Sequence, residues 1–178
     1  MTPENIVGFW MEAGPLRWFN RDAAFDGALA VRFGAALREA RLGAFDFWGE
    51  TPLGALGLVL LLDQVSRNIH RGSPLAFAAD SHALKLTRGW VARGYHRKLP
   101  APQAFWLLMP FEHAEDLDAQ RRCFAIFSTM GLSEMAYYAK IHLDIIEKFG
   151  RFPHRNPILG RRSTPEELAF LKAGGFAG

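Results

Sequence analysis

The chain has 178 residues, of which 49% are hydrophobic and 13% aromatic, enough material for the core of one domain. Its net charge of +3 includes no basic run, too little for a nucleic-acid-binding face, and the single cysteine, Cys123, excludes an internal disulfide or an all-cysteine metal site. The longest apolar run, Pro52 to Leu62, is well short of the ~20 residues that span a bilayer, and Met1 leads into no basic or apolar leader, so the expected location is the cytoplasm with no membrane partner.

Thr2-Pro3, Thr51-Pro52, Ser73-Pro74 and Thr164-Pro165 each put a capping hydroxyl before a proline at the first helical position, and so predict four helix starts. Asp22 to Leu42 repeats Phe25, Leu29, Phe33 and Leu37 every four residues and stops at Gly43, the pattern of an amphipathic helix with a left-handed cap. Gly43 to Gly49 is short and aromatic and reads as a packed loop. Pro52 to Arg67 opens apolar on every side, which predicts a central helix surrounded by others. A helix from Pro74 to Arg93 closes at Gly94, and one from Pro102 is stopped by Pro110. Glu115 to Met130 follows, with Glu115 and Asp116 in its first turn. Ser133 to Phe149 carries a stripe of Met135, Tyr138, His142, Ile145 and Phe149, and Thr164 with Glu167 forms a capping box ahead of a last helix. The expected fold is all-α, about seven to nine helices joined by short turns into antiparallel hairpins, as a bundle or a short array. Residues 1–178 are expected to form a single domain with an arm, 150–178, packed on the body.

Three polar groups interrupt this apolar pattern. The first is Asp63-Gln64 with Arg67, Asn68 and Arg71, where the most hydrophobic helix turns charged. Asp63 and Arg67 are four apart in the favourable order for an ion pair, and a guanidinium so oriented can present further donors to an anion. The second is Glu112-His113, directly after Pro110, with Asp116 close behind. A carboxylate beside an imidazole suits acid/base exchange, but the spacing is not that of a metal site, and neither metal nor cofactor is expected. The third is Arg151 to Arg162, where Arg151, His154, Arg155, Asn156 and Arg161 cluster in an ordered connection. They either tie helix ends and an arm to the body or bind an anion. His142, on an apolar stripe, reads as a core residue, and Cys123 as a small buried hydrophobe.

The segments Leu61 to Gly72, Met109 to Asp116 and Gly150 to Glu167 together resemble the bacterial family known as domain of unknown function 924. The resemblance runs from Phe9-Trp10 to Leu171. It implies a fold similar to tetratricopeptide-like helical arrays, a TPR-like bundle or short right-handed array, and carries no established activity, substrate or cofactor. The family's motifs match Asp63-Gln64, Arg67-Asn68, Arg71-Gly72, Glu112-His113, Glu115-Asp116 and Phe152 to Asn156. The chain departs from them at Val65-Ser66, where the family has Phe-Pro, and at His70, aromatic in the family.

Two functions follow as expectations. In one, a polar pocket of Asp63, Arg67, Asn68, Arg71, Asp116, Arg151, Arg155 and Asn156 holds a small anionic or zwitterionic molecule, and His113, His154 or Glu112 exchanges protons in a hydrolytic step. In the other, the chain is a TPR-like scaffold whose groove takes a peptide or protein, and the polar motifs only hold turns in place.

Overall fold

The computed structural model describes residues 1–176, and among these there is no strand: the protein is all-α. The chain divides into two compact units, one of residues 1–71 and 75–110, the other of residues 72–74 and those from 111 onward. Among the described residues, no helix is long and apolar enough to cross a membrane.

The first unit opens with α1 (Pro3–Ala13), α2 (Pro15–Trp18) and α3 (Ala23–Arg41). Asp22 caps α3 by accepting from the Phe25 amide at 3.0 Å. At its far end Gly43 N–H reaches Ala40 O at 3.0 Å and Ala44 N–H reaches Glu39 O at 3.2 Å, the paired bonds of a Schellman cap. Phe25, Leu29, Phe33 and Leu37 are all buried, so the four-residue repeat is the core face of α3. The aromatic loop after it folds into a 3-10 turn, Asp46–Glu50, with Phe45 stacked on Trp48 at 4.6 Å.

The expected central helix begins as α4 (Pro52–Val59), with Thr51 Oγ1 accepting from Gly54 N–H at 3.1 Å. Its apolar residues from Ala55 to Leu62 are fully buried, as an all-round hydrophobic helix requires. It then widens into a π-helical segment, Leu60–Val65, before α5 (Ser66–Ile69), a feature the sequence does not announce. The start expected at Ser73-Pro74 is only a 3-10 turn, Pro74–Phe77, and α6 begins later (Asp80–Ala92). The reason lies in the carbonyls that an α-helix from Pro74 would use. Leu75 O accepts from Arg41 Nη2 at 2.6 Å and from Ser66 Oγ at 3.1 Å, and Ala76 O accepts from Ser66 Oγ at 3.2 Å.

α7 (Ala101–Glu112) runs through Pro110 rather than stopping there. Proline removes one N–H near a helix end where few bonds remain to be lost, and Gln120 Nε2 closes that end by donating to Glu112 O at 2.6 Å and Ala114 O at 2.8 Å. In the second unit, α8 (Leu117–Thr129) and α9 (Ser133–Phe149) form a hairpin through Met130–Leu132. Asp116 is the N-cap of α8, accepting from Ala119 N–H at 2.8 Å, so Glu115 lies ahead of the helix rather than in its first turn. The α9 bounds match those expected, but its buried side is Ala139, His142, Leu143, Ile145 and Ile146, with Tyr138 46% exposed. A 3-10 turn, Pro153–Arg155, and the loop beyond it lead to α10 (Pro165–Lys172), which starts with the predicted capping box of Thr164 and Glu167.

Candidate functional site

In the first unit the π-helical segment buries Asp63 fully, and its Oδ1 lies 2.9 Å from Arg67 Nη1, the ion pair expected from the spacing. Arg67 also takes Asp80 in a two-pronged contact, Nη1 to Oδ1 at 3.0 Å and Nη2 to Oδ2 at 2.9 Å. Burial works against the Arg67 charge, but Asp63 and Asp80 outweigh it and hold its pKa above the ordinary value. Asn68 Nδ2 donates to Asp26 Oδ1 at 2.7 Å, and Arg71 Nε to Asp26 Oδ2 at 2.6 Å. Asp63, Arg67, Asn68 and Arg71 are thus joined to carboxylates on α3 and α6. Neither Asp26 nor Asp80 was legible as a partner, because each lies far from its arginine in sequence.

In the second unit most of the arginine-rich segment is likewise engaged. Arg151 Nε and Nη2 donate to Glu167 Oε1 and Oε2 at 2.6 and 2.9 Å. Asn156 Nδ2 and the Thr164 amide also donate to Glu167 Oε2, at 3.1 and 2.8 Å. The Arg151 hydrogen bonds lead in holding the Glu167 carboxyl down to about 2. Arg161 grips Glu115 with two bonds of 2.6 and 2.8 Å, and the Phe152 amide adds a third at 2.8 Å. Although burial works to raise it, these donors keep the Glu115 carboxyl below the usual range. A surface cavity of about 430 Å³ beside this arm is lined by Lys148, Phe149, Arg151, Thr164, Glu166 and Glu167. Its Arg151 already faces a carboxylate, so it offers an anion little unbalanced charge.

A different group lies between α8, α9 and the turn after α9. Glu112, His142 and Arg155 are all buried. His142 Nδ1 lies 2.9 Å from Tyr138 O and 3.4 Å from Glu112 Oε1. A carbonyl only accepts, so His142 Nδ1 carries the proton, an assignment made from the hydrogen bond itself. Cys123 Sγ approaches Glu112 Oε2 at 4.0 Å. Burial first and the Glu112 charge second push the Cys123 thiol well up, so it is a protonated, inert group at neutral pH.

The Phe152 ring stands between the two histidines. Its centroid is 5.5 Å from that of His142 and 5.7 Å from that of His154, and the Arg155 guanidinium lies 4.5 Å above it. Burial and then the Arg155 charge lower His154 to about 4, with His113 contributing in the same direction. Burial likewise lowers His142 to about 4, with Arg155 and His154 adding to it. The buried His154 Nδ1 has no hydrogen-bond partner among the described residues. The predicted residues Glu112, His113, His154 and Arg155 therefore fall in one neighbourhood, together with His142, which sequence reasoning assigned to the core. Its signal was a titratable ring on the buried face of α9. Asp116, Arg151 and Asn156, predicted as ligand-binding, cap α8 or bind Glu167. Among the described residues, no group of three or more metal-ligating side chains gathers.

The model of the family described as bacterial protein of unknown function (DUF924) matches residues 6–175. A solved structure of a protein of unknown function from Agrobacterium tumefaciens is 40% identical in sequence, covers 97% of each chain and superposes with a TM-score of 0.92. Comparison with curated proteins finds no match. Matched over almost its whole length, the chain belongs to the DUF924 family of bacterial proteins.

Proposed function

We propose that the second unit binds a small molecule bearing an anionic or zwitterionic group, with Arg155 supplying positive charge and His154 a hydrogen bond, and His113 close by. The observation that carries this reading is the partnerless, buried Nδ1 of His154 beside a buried guanidinium. Burying a polar atom without a partner costs roughly 1–3 kcal/mol, a penalty that a ligand oxygen or nitrogen removes. Binding fits better than hydrolysis. A proton-transfer group works best with a pKa near the working pH, whereas the His142 and His154 imidazoles are held at about 4. In this reading Glu112 orients His142, and Asp63, Arg67, Asn68, Arg71, Asp116, Arg151 and Asn156 hold the frame.

The TPR-like scaffold is the second reading, favoured by a specific observation: Arg67, Arg71, Arg151 and Arg161 all sit on protein carboxylates. The two readings separate in a thermal-shift titration with inorganic phosphate. At about ten times its dissociation constant, phosphate is expected to stabilise the chain by about 1.4 kcal/mol, a rise of roughly 3–6 °C in Tm. Arg155→Lys, which keeps charge but loses the fork, and His154→Leu, which keeps volume but loses the donor, are each expected to weaken phosphate about tenfold. A melting temperature indifferent to phosphate, carboxylates and amino acids overturns the binding reading and leaves the scaffold.

A further inference from the structure

We propose that Phe176 is a lid over the imidazole pair, and that a ligand reaches His142 and His154 when its ring swings aside. This rests on the binding reading above and adds how that site is gated.

The geometry carries it. The Phe176 ring centroid lies 4.5 Å from that of His142 and 5.5 Å from that of His154, meeting the two rings at 61° and 75°. One side chain thus packs against both imidazoles. It also joins the small apolar cluster of Ile145, Ile146 and Phe152, so the closed state is a packed one. The chain reaches this position through two glycines. Gly174 has a φ of +81°, and its N–H bonds Leu171 O at 3.1 Å, while Gly175 N–H bonds Phe170 O at 3.0 Å. Those bonds end the helix and leave the lid attached at a point where glycine absorbs large φ/ψ changes most easily.

The walls of the site are held differently from the lid. The turn bearing Phe152, His154 and Arg155 is fixed by Glu115, which takes two bonds from Arg161 and one from the Phe152 amide. His142 is fixed within α9 by its bond to Tyr138 O. Charge-assisted bonds to Glu115 hold one wall, a hydrogen bond to the helix backbone holds the other, and ring packing holds the lid, so the part that opens at least cost is the Phe176 ring.

Phe176→Ala tests this with two readouts. The first is the titration of the His142 and His154 imidazole protons by NMR, which needs no ligand. Removing the ring admits water, and both midpoints are expected to rise by about one pH unit or more from their buried values toward the ordinary 6.5. The second is the affinity for inorganic phosphate, expected to rise about tenfold if the lid is shut roughly nine-tenths of the time. Unmoved midpoints overturn the lid. Midpoints that rise without any phosphate binding uphold the lid and sink the anion reading, so the two failures are distinguishable. Should Phe176→Ala not fold, Phe176→Leu refills the apolar volume without the ring and carries the same test. It is expected to give smaller shifts of the same sign, and no shift there counts against the lid.

Discussion

Replacing Asp63 by alanine is expected to lower stability by about 3–5 kcal/mol, the usual penalty for removing one partner of a buried ion pair. Asp63 is fully buried; its Oδ1 holds Arg67 at 2.9 Å, and its Oδ2 accepts from Gln64 Nε2 at 2.6 Å. The substitution therefore leaves the buried Gln64 amide without its acceptor and takes from Arg67 one of its two carboxylates. It does so within the π-helical segment, where the backbone ladder is already irregular. Arg67 keeps Asp80, which places the effect nearer the lower end of the range. For a chain of this length the loss corresponds to a fall of roughly 6–15 °C in Tm, measurable by calorimetry. Asp80→Ala, at a side chain 20% exposed, is expected to do less damage. A loss below about 1 kcal/mol for Asp63→Ala would mean that the pair contributes no more than a surface one.

Acidification gives the second large effect, through the imidazoles. His142 and His154 titrate at about 4 in the folded chain, whereas an unfolded histidine titrates near ~6.5. Below that pH the unfolded state takes up protons that the folded state refuses. Their contribution is therefore complete above pH ~6.5, falls as the pH drops, and has gone once it passes the folded value. For His142, the more buried of the two, this loss is on the order of 2–3 kcal/mol, and less for the partly exposed His154. The groups facing His142 are Glu112, Arg155 and His154, and the Tyr138 carbonyl fixes its tautomer. Glu167 acts in a separate window. Its carboxyl is held down to about 2, so its contribution is present above the ordinary carboxylate range and lost only as the pH falls through that lower value. Urea unfolding at pH 7 and pH 4.5 is expected to give different midpoints, and His142→Leu to flatten the difference. Equal midpoints in the unaltered chain would show that the imidazoles are not held neutral.

Local signals carried most of the fold. The α9 bounds, the Asp22 cap, the Gly43 cap and the Thr164–Glu167 box are each set by residues within a few positions of one another, where periodicity and capping chemistry operate. Two of the failures share a cause. The Ser73-Pro74 start gave way because Arg41 and Ser66, distant in sequence, claim the carbonyls of Leu75 and Ala76. The same distance hid the partners of the motif arginines: Asp26 for Arg71, Asp80 for Arg67, Glu115 for Arg161. The sequence marked which side chains were unusual but not what each would meet. His142 was read correctly as a core residue, buried and hydrogen-bonded to Tyr138 O. Its position on an apolar face correctly implied burial, and only the fold brings Glu112, Phe152 and His154 around it.

The Ser66 side chain makes bonds that a proline there would forgo. The Ser66 hydroxyl accepts from Arg41 Nη2 at 2.8 Å and donates toward the Leu75 and Ala76 carbonyls. The turn after the central helix is therefore pinned by a hydroxyl rather than a ring, with Arg67 still seated on Asp63 and Asp80.

The titration of the His154 imidazole by NMR, with and without saturating inorganic phosphate, tests the central claim most directly. An anion held by Arg155 and His154 favours the imidazolium. Phosphate is therefore expected to raise the His154 midpoint from about 4 by about one pH unit, with a smaller rise at His142. Superimposable titration curves at every phosphate concentration would contradict the account.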